Sequence, residues 1–233
     1  MIGTLNESPL HRAIKDHYRE RLAQHGQGVA EEVPVGTFVA DLRCGEHIVE
    51  VQTGHFGALR RKLATILNDH PVLVVHPIAV HRYLVRLSRD GDGTFTRRRS
   101  PKHGSRLNLL DELVSIPDLL EHPNFELEIA LIEEETVTEY SSRARRGRGG
   151  WRTRERHLLD IKSTERLRCA ADLWTWLEAD LCEPFGTADL AAALGCSREL
   201  ARKFAYCLRA AGAVEPVGKQ GNAMLYVRSA IPA

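Results

Sequence analysis

The chain has 233 residues, 43% hydrophobic and 27% charged, with a formal net charge of +1. That length holds one large domain or two modest ones around a real core, and the near-neutral balance excludes a protein coated in positive charge while leaving room for local basic patches. Five cysteines, odd in number and without C-x-x-C spacing, exclude a disulfide framework and leave zinc without a good ligand set.

No apolar run is long enough to cross a bilayer, and the N-terminus lacks a signal-peptide pattern. The expected location is the cytoplasm, with no membrane partner.

Ser8-Pro9 reads as a helix start, with Ser8 as cap and Pro9 in the first turn. Leu10, Ile14, Tyr18 and Leu22 then form one apolar stripe on a helix ending near Gly26. Two strand-like runs follow, Val35–Cys44 and His47–Thr53, joined by Gly45-Glu46 as a tight hairpin turn. A helix is expected over His55–Asn68. Val72–Val75 suits a strand buried on both faces. Tyr83–Leu87 and Thr94–Arg98 read as a second hairpin around Asp90-Gly91-Asp92-Gly93. Leu107–Leu120 reads as a helix broken near Pro117, and Phe125–Tyr140 is rich in strand formers.

The expected organisation is therefore mixed α/β in three parts: residues 1–140, an Arg/Gly-rich connector or hairpin over 141–165, and a C-terminal unit over 166–233. In the last part Ala170–Leu181 and Thr187–Leu194 read as helices. Ser197 caps a further helix, Arg198–Ala211, and two short strands flank Gly218–Asn222. Short helix, tight turn, capped helix and glycine hairpin is the order of a winged helix-turn-helix. Arg198, Arg202 and Lys203 on the second helix, with Lys219 at the wing tip, suit contact with DNA phosphates.

The residues that carry chemistry lie on the first hairpin. With Gly45-Glu46 as its turn, paired numbers put Asp41 opposite Glu50. Cross-strand partners share a face with β-carbons about 5 Å apart. Gln52 falls on that face too, while Leu42, Val49 and Val51 take the other. Two carboxylates this close repel, so they call for a cation or a proton between them. Hard oxygen ligands suit Mg²⁺ or Mn²⁺. Such an ion polarises phosphate and activates water, the requirement for phosphodiester hydrolysis.

Asp41, then eight residues, then Glu50-Val51-Gln52, with the element order around them, resembles the PD-(D/E)XK nuclease superfamily over roughly residues 7 to 80. The resemblance implies that Asp41 and Glu50 bind the metal, joined by the Val51 carbonyl. It also brings in an acid from the first helix, for which Glu7 is a candidate and Glu20 its competitor. Gln52 departs from the usual Lys, and Ala40 stands where the motif name has Pro. Gln52 would hold water by hydrogen bonds, with Lys62 or Arg60 supplying the missing charge. The implied activity is Mg²⁺-dependent hydrolysis of DNA, with a possible homodimer for double-strand breaks. Two rival readings stay open: a DNA-binding protein using the nuclease fold as scaffold, and a protein-interaction module.

Overall fold

The computed structural model describes residues 7–24, 28–89, 93–142 and 149–229. The helix end expected at Gly26, the turn at Asp90–Asp92, and Arg143, Arg145, Arg146 and Arg148 lie outside them.

Helix α1 (Pro9–Ala23) starts where Ser8 Oγ accepts the His11 N–H. A meander follows: β1 (Val29–Val35), β2 (Phe38–Cys44) and β3 (His47–Val51), all antiparallel. Gly36 and Gly45 turn it with φ of +58° and +60°, a region costly for residues with a Cβ. Helix α2 (Phe56–Ile66) then crosses to β4 (Val72–Leu87), which runs parallel to β3. Strand β6 (Phe125–Tyr140) is parallel to β4, and β7 (Trp151–Leu167) is antiparallel to β6. The main sheet has the order β1-β2-β3-β4-β6-β7, and β5 (Phe95–Arg99) pairs with the far half of β4. The architecture is mixed α/β on a mixed sheet.

Two apolar clusters cover the sheet. Leu10, Ile14 and Tyr18 of α1 pack on Leu42, Val49, Val51, Val75, Ala130 and Ile132. Phe56, Leu59, Leu63 and Ile66 of α2 form part of a second, larger cluster with Ile48, Val74, Leu127 and Ile129.

That larger cluster continues into the C-terminal unit, which holds α4 (Thr187–Ala193), α5 (Arg198–Ala210) and the hairpin β8 (Val214–Gln220)–β9 (Ala223–Arg228). Phe204, Cys207 and Leu208 of α5 join Leu109, Leu110, Leu113 and Leu120 in it. Helix α3 (Leu110–Leu113) supplies two of these and an ion pair, Asp111 to Lys203 at 2.7 Å.

Several local expectations are corrected. The chain forms β1, which the sequence reading left out. Val72–Val75 and Tyr83–Leu87 are the two ends of one strand, β4, which passes through Pro77 and a bulge at Ala79/His81. The 141–165 span ends in β7, a strand paired along most of β6 rather than a free connector. Leu107–Leu120 is three short helical pieces. Ala170–Leu181 is a 3-10 helix only to Trp176, after which Leu177 is extended. This tighter turn sets both Trp174 and Trp176 against Phe204, although they are only two residues apart.

Candidate active site

The β2–β3 ladder runs Cys44↔His47, Arg43↔Ile48, Leu42↔Val49. Asp41 and Glu50 come next, and here the strands fork. The Val51 N–H donates to Asp41 Oδ2 at 2.8 Å, so a side chain takes over from the ladder. On the other edge of β2 the pairing passes from Glu31↔Leu42 to Val33↔Ala40. Glu32, level with Asp41, has a φ of +50°, uncommon for a residue with a Cβ. Ala40 packs in the α2 cluster and Leu42 in the α1 cluster. Strand β2 therefore turns about its axis at Asp41 and leaves its carboxylate at the mouth of the fork.

Glu50 is 3% exposed. Its Oε2 lies 2.6 Å from Lys62 Nζ, delivered by α2, and the same amine donates to the Val39 carbonyl. Its Oε1 is buried without a hydrogen-bond partner. Burial, with Asp41 nearby, pushes the Glu50 carboxyl up to about 7 against the pull of Lys62.

Helix α1 supplies the other half. His11 Nε2 lies 3.3 Å from Asp41 Oδ2, and its Nδ1 2.6 Å from Glu7 Oε1. Burial alone would lower the His11 pKa, but Asp41 and Glu7 outweigh it and raise it to about 9. Burial likewise opposes ionisation of Asp41, yet His11, the Val51 N–H and Lys62 hold its pKa below the usual range. Lys15 Nζ bridges Glu7 at 2.9 Å and Glu32 at 2.6 Å. His11 and Lys15, four residues apart, share one face of α1 beside the apolar stripe, and Glu7, four residues before His11 and just before the Ser8 cap, reaches both. That spacing was the signal for His11 and Lys15, which sequence reasoning missed. Glu32 carried no signal.

The other candidate residues are placed as follows. Gln52 does not reach the carboxylates: its amide donates to the Gly54 carbonyl, with the His55 carbonyl at 3.5 Å. Its backbone is clamped by Val75 and His76. Within a strand a residue's N–H and C=O point the same way, and the Val51 N–H points at Asp41, so the Val51 carbonyl opens on the fork. Arg60 is turned away into a paired contact with Asp118, 2.9 Å at each nitrogen. Lys203 is held by Asp111 and Glu199, whereas Arg198, Arg202 and Lys219 are exposed.

Among the described residues no group of three or more His, Cys, Asp or Glu is arranged to hold a metal ion. Mg²⁺ asks for less: one or two carboxylates, completed by water and substrate phosphate. Asp41, Glu50 and the Val51 carbonyl fit that demand, and the partnerless Glu50 Oε1 is the atom a cation would satisfy.

Residues 8–168, which carry this site, match the family described as Domain of unknown function (DUF8091). The chain belongs to the DUF8091 family. An uncharacterized protein of Treponema pallidum (strain Nichols) is 34% identical over 227 residues, covering 97% of this chain and 86% of that protein. No solved structure matches. The DUF8091 match runs from the cap of α1 to just past β7, so every residue of the fork except Glu7 lies inside it. No helix among the described residues is long and apolar enough to cross a membrane.

Proposed function

We propose that this DUF8091 protein is a metal-dependent DNA phosphodiesterase of the PD-(D/E)XK type, with a C-terminal winged helix that docks on DNA. One observation carries the reading. The buried Glu50 and the partly buried Asp41 stand opposite each other just past the last pair of the β2–β3 ladder, where the strands fork, and Glu50 keeps an oxygen with no hydrogen-bond partner. Burial of that kind destabilises a fold unless a ligand or a reaction uses it.

Asp41, Glu50 and the Val51 carbonyl would hold Mg²⁺ or Mn²⁺. The cation would supply Lewis acidity toward the phosphate. Lys62 keeps Glu50 oriented and its charge balanced, and His11 does the same for Asp41. Lys62 stands where the charge absent from Gln52 is needed. The order of α4, a turn at Gly195, α5 and a two-stranded hairpin supports the winged-helix reading. Arg198, Arg202 and Lys219 are exposed there and would contact phosphate.

The test is cleavage of supercoiled plasmid with Mg²⁺ or Mn²⁺, beside Asp41→Ala and Glu50→Ala. Metal-dependent nicking lost in both variants supports the reading. Absent cleavage, or equal cleavage by folded variants, moves the function to DNA binding on a non-catalytic scaffold. The Gln52 amide turned to Gly54 is the observation that favours that second reading.

A further inference from the structure

A cavity of about 350 Å³ opens beside the fork, lined among others by Thr53, His76, Arg82, Lys102, His103 and Arg156. The floor is an unusual use of charge. Glu134 is 0% exposed, and both its oxygens are taken by guanidinium groups. Arg82 gives it Nε at 2.5 Å, and Arg156 gives it Nη2 at 2.6 Å and Nε at 3.1 Å. Thr136 Oγ1 adds a further bond at 3.3 Å. One buried carboxylate thus holds two cations side by side and leaves a net positive charge on the wall. A guanidinium has five N–H groups in a fixed fork, so both arginines keep donors for a second partner.

Two acids also line the cavity, and of their charges only that of Glu112 is left without a cation, against three cations on the wall. Asp111 is neutralised by Lys203, and Glu112 Oε2 accepts the Phe56 N–H at the start of α2. Lys102 is exposed on the rim and adds a third cation. The rim is pinned in place by Gly104, whose N–H donates to the Ala79 carbonyl. A Cβ on Gly104 would stand 2.7 Å from that oxygen and 2.8 Å from Ile78 Cγ2, so only glycine lets this loop lie on β4.

The cavity and the fork are linked in the chain through the end of one strand. Strand β3 carries Glu50 into the fork, and Thr53, three residues on, lines the cavity. His76 lines it as well and bonds to the Gln52 carbonyl at 2.7 Å. A polymer passing the carboxylates would run its backbone into this wall.

We propose that this cavity is a phosphate-binding site, in which Arg82, Arg156 and Lys102 take a phosphodiester of the nucleic-acid backbone next to the one at the fork. The identity of the polymer rests on the hydrolase reading above; the phosphate site does not. Arginine presented edge-on in a preset pair is the donor geometry that phosphate oxygens accept.

The experiment uses the full chain in EDTA at low salt. Fluorescence anisotropy with a labelled duplex is compared for wild type, Lys102→Gln, Arg156→Gln and the double variant Glu134→Gln/Arg156→Gln. The double variant keeps the buried carboxylate from being left short of a partner. Inorganic phosphate is titrated in parallel by amide chemical shifts. The expected result is about a tenfold loss of duplex affinity for each arginine variant, a smaller loss for Lys102→Gln, and a salt slope lower by about one per cation removed. Phosphate should shift the amides of Thr53, residue 102 and Gly104 in wild type, less in Lys102→Gln, and not in the Arg156 variants. Unchanged affinity in folded variants overturns the site. Phosphate binding without duplex binding assigns the cavity to a free phosphate ester and overturns the backbone assignment. EDTA removes cleavage from the readout, so failure of the nicking assay and failure here are separate outcomes.

Discussion

Lys62 Nζ lies 2.6 Å from Glu50 Oε2, so helix α2 brings to the fork the cation that Gln52 does not supply. Lys62→Met should therefore lower metal-dependent cleavage by about a hundredfold, the range expected when a charge beside the reacting groups is lost. Gln52→Ala should cost only a few-fold, because its amide is spent on the Gly54 carbonyl. Adding Gln52→Lys to Lys62→Met should restore part of the rate by moving the cation to the neighbouring strand end. Rates from a nicking assay on the four proteins decide it: a Gln52→Ala variant as impaired as Lys62→Met would reverse the two roles.

Glu50 also has a stability signature. Its folded pKa is raised from 4.5 to about 7, first by burial and then by Asp41. Between those values the folded state holds the proton more tightly than the unfolded chain. Stability contributed at low pH is lost as pH rises through that window. Glu50→Gln should abolish cleavage yet raise stability at pH 8 by on the order of 1–3 kcal/mol, and the gain should shrink toward pH 4. Thermal melts in EDTA at the two pH values measure it. A variant less stable than wild type at pH 8 would show that Lys62 outweighs the burial cost.

The hairpin turn and its register are readable because Gly45-Glu46 and the alternation of Leu42, Val49 and Val51 agree with one another. Phe125–Tyr140 is readable as a strand from its richness in strand formers. Strand β1 is not, since Glu31, Glu32 and Pro34 break any alternation, and its pairing comes from the β2 edge. Strand β7 hides behind its charges. It is an edge strand whose ladder uses backbone groups, and Arg156 and Arg166 pair with buried carboxylates of β6. At the site, Asp41 and Glu50 are visible only once their spacing is set on the hairpin register, since the spacing alone is common. His11 was hidden because a polar stripe on a helix looks like a solvated face until a strand is known to lie beneath it.

Glu128 provides a second pH test away from the fork. It is 2% exposed and accepts bonds from Tyr18, Arg21 and Arg166. Burial opposes its ionisation, but Tyr18 and the two arginines win and hold its pKa below the usual range. Such a group stabilises the fold above its unfolded pKa, and that contribution is lost as pH falls through the folded one. Glu128→Gln should cost about 2 kcal/mol at pH 7, a figure kept low because the arginines are partly solvated. The difference from wild type should vanish in acid. A urea series stepped downward from pH 7 checks this: the gap should begin to close only below the ordinary carboxylate value of 4.5, and a gap that stays constant as the pH falls further would point to packing rather than charge.

The DUF8091 match ends at Arg168, but the core does not. Phe204 of α5 is fully buried, touches Trp174 and Trp176, and shares a cluster with Leu110 and Leu113. Phe204→Ala should cost about 3–5 kcal/mol. The whole chain should melt in one transition, and a fragment ending at residue 168 should expose apolar surface and bind a hydrophobic dye. Two separate calorimetric peaks would mean that the shared cluster does not couple the units.

Helix α5 presents Arg198, Arg202, Tyr206 and Arg209 as one exposed stripe, at spacings of four, four and three, with Tyr206 53% exposed. Its other face is locked into the shared core, so the stripe is held at a fixed angle to the fork. Lys203, between those faces, is pinned to Asp111 at 2.7 Å. If the stripe meets DNA, Arg198→Gln/Arg202→Gln should weaken duplex binding and lower the salt slope by about two, since each phosphate contact releases about one counterion. Lys203→Gln should leave the slope unchanged and shift only the melting temperature, by the small amount an exposed pair contributes. Tyr206→Ala should weaken binding without changing the slope, as the loss of an uncharged contact does. An unchanged salt slope in the double arginine variant would remove α5 from the interface and leave DNA contact to the fork and its neighbouring cavity.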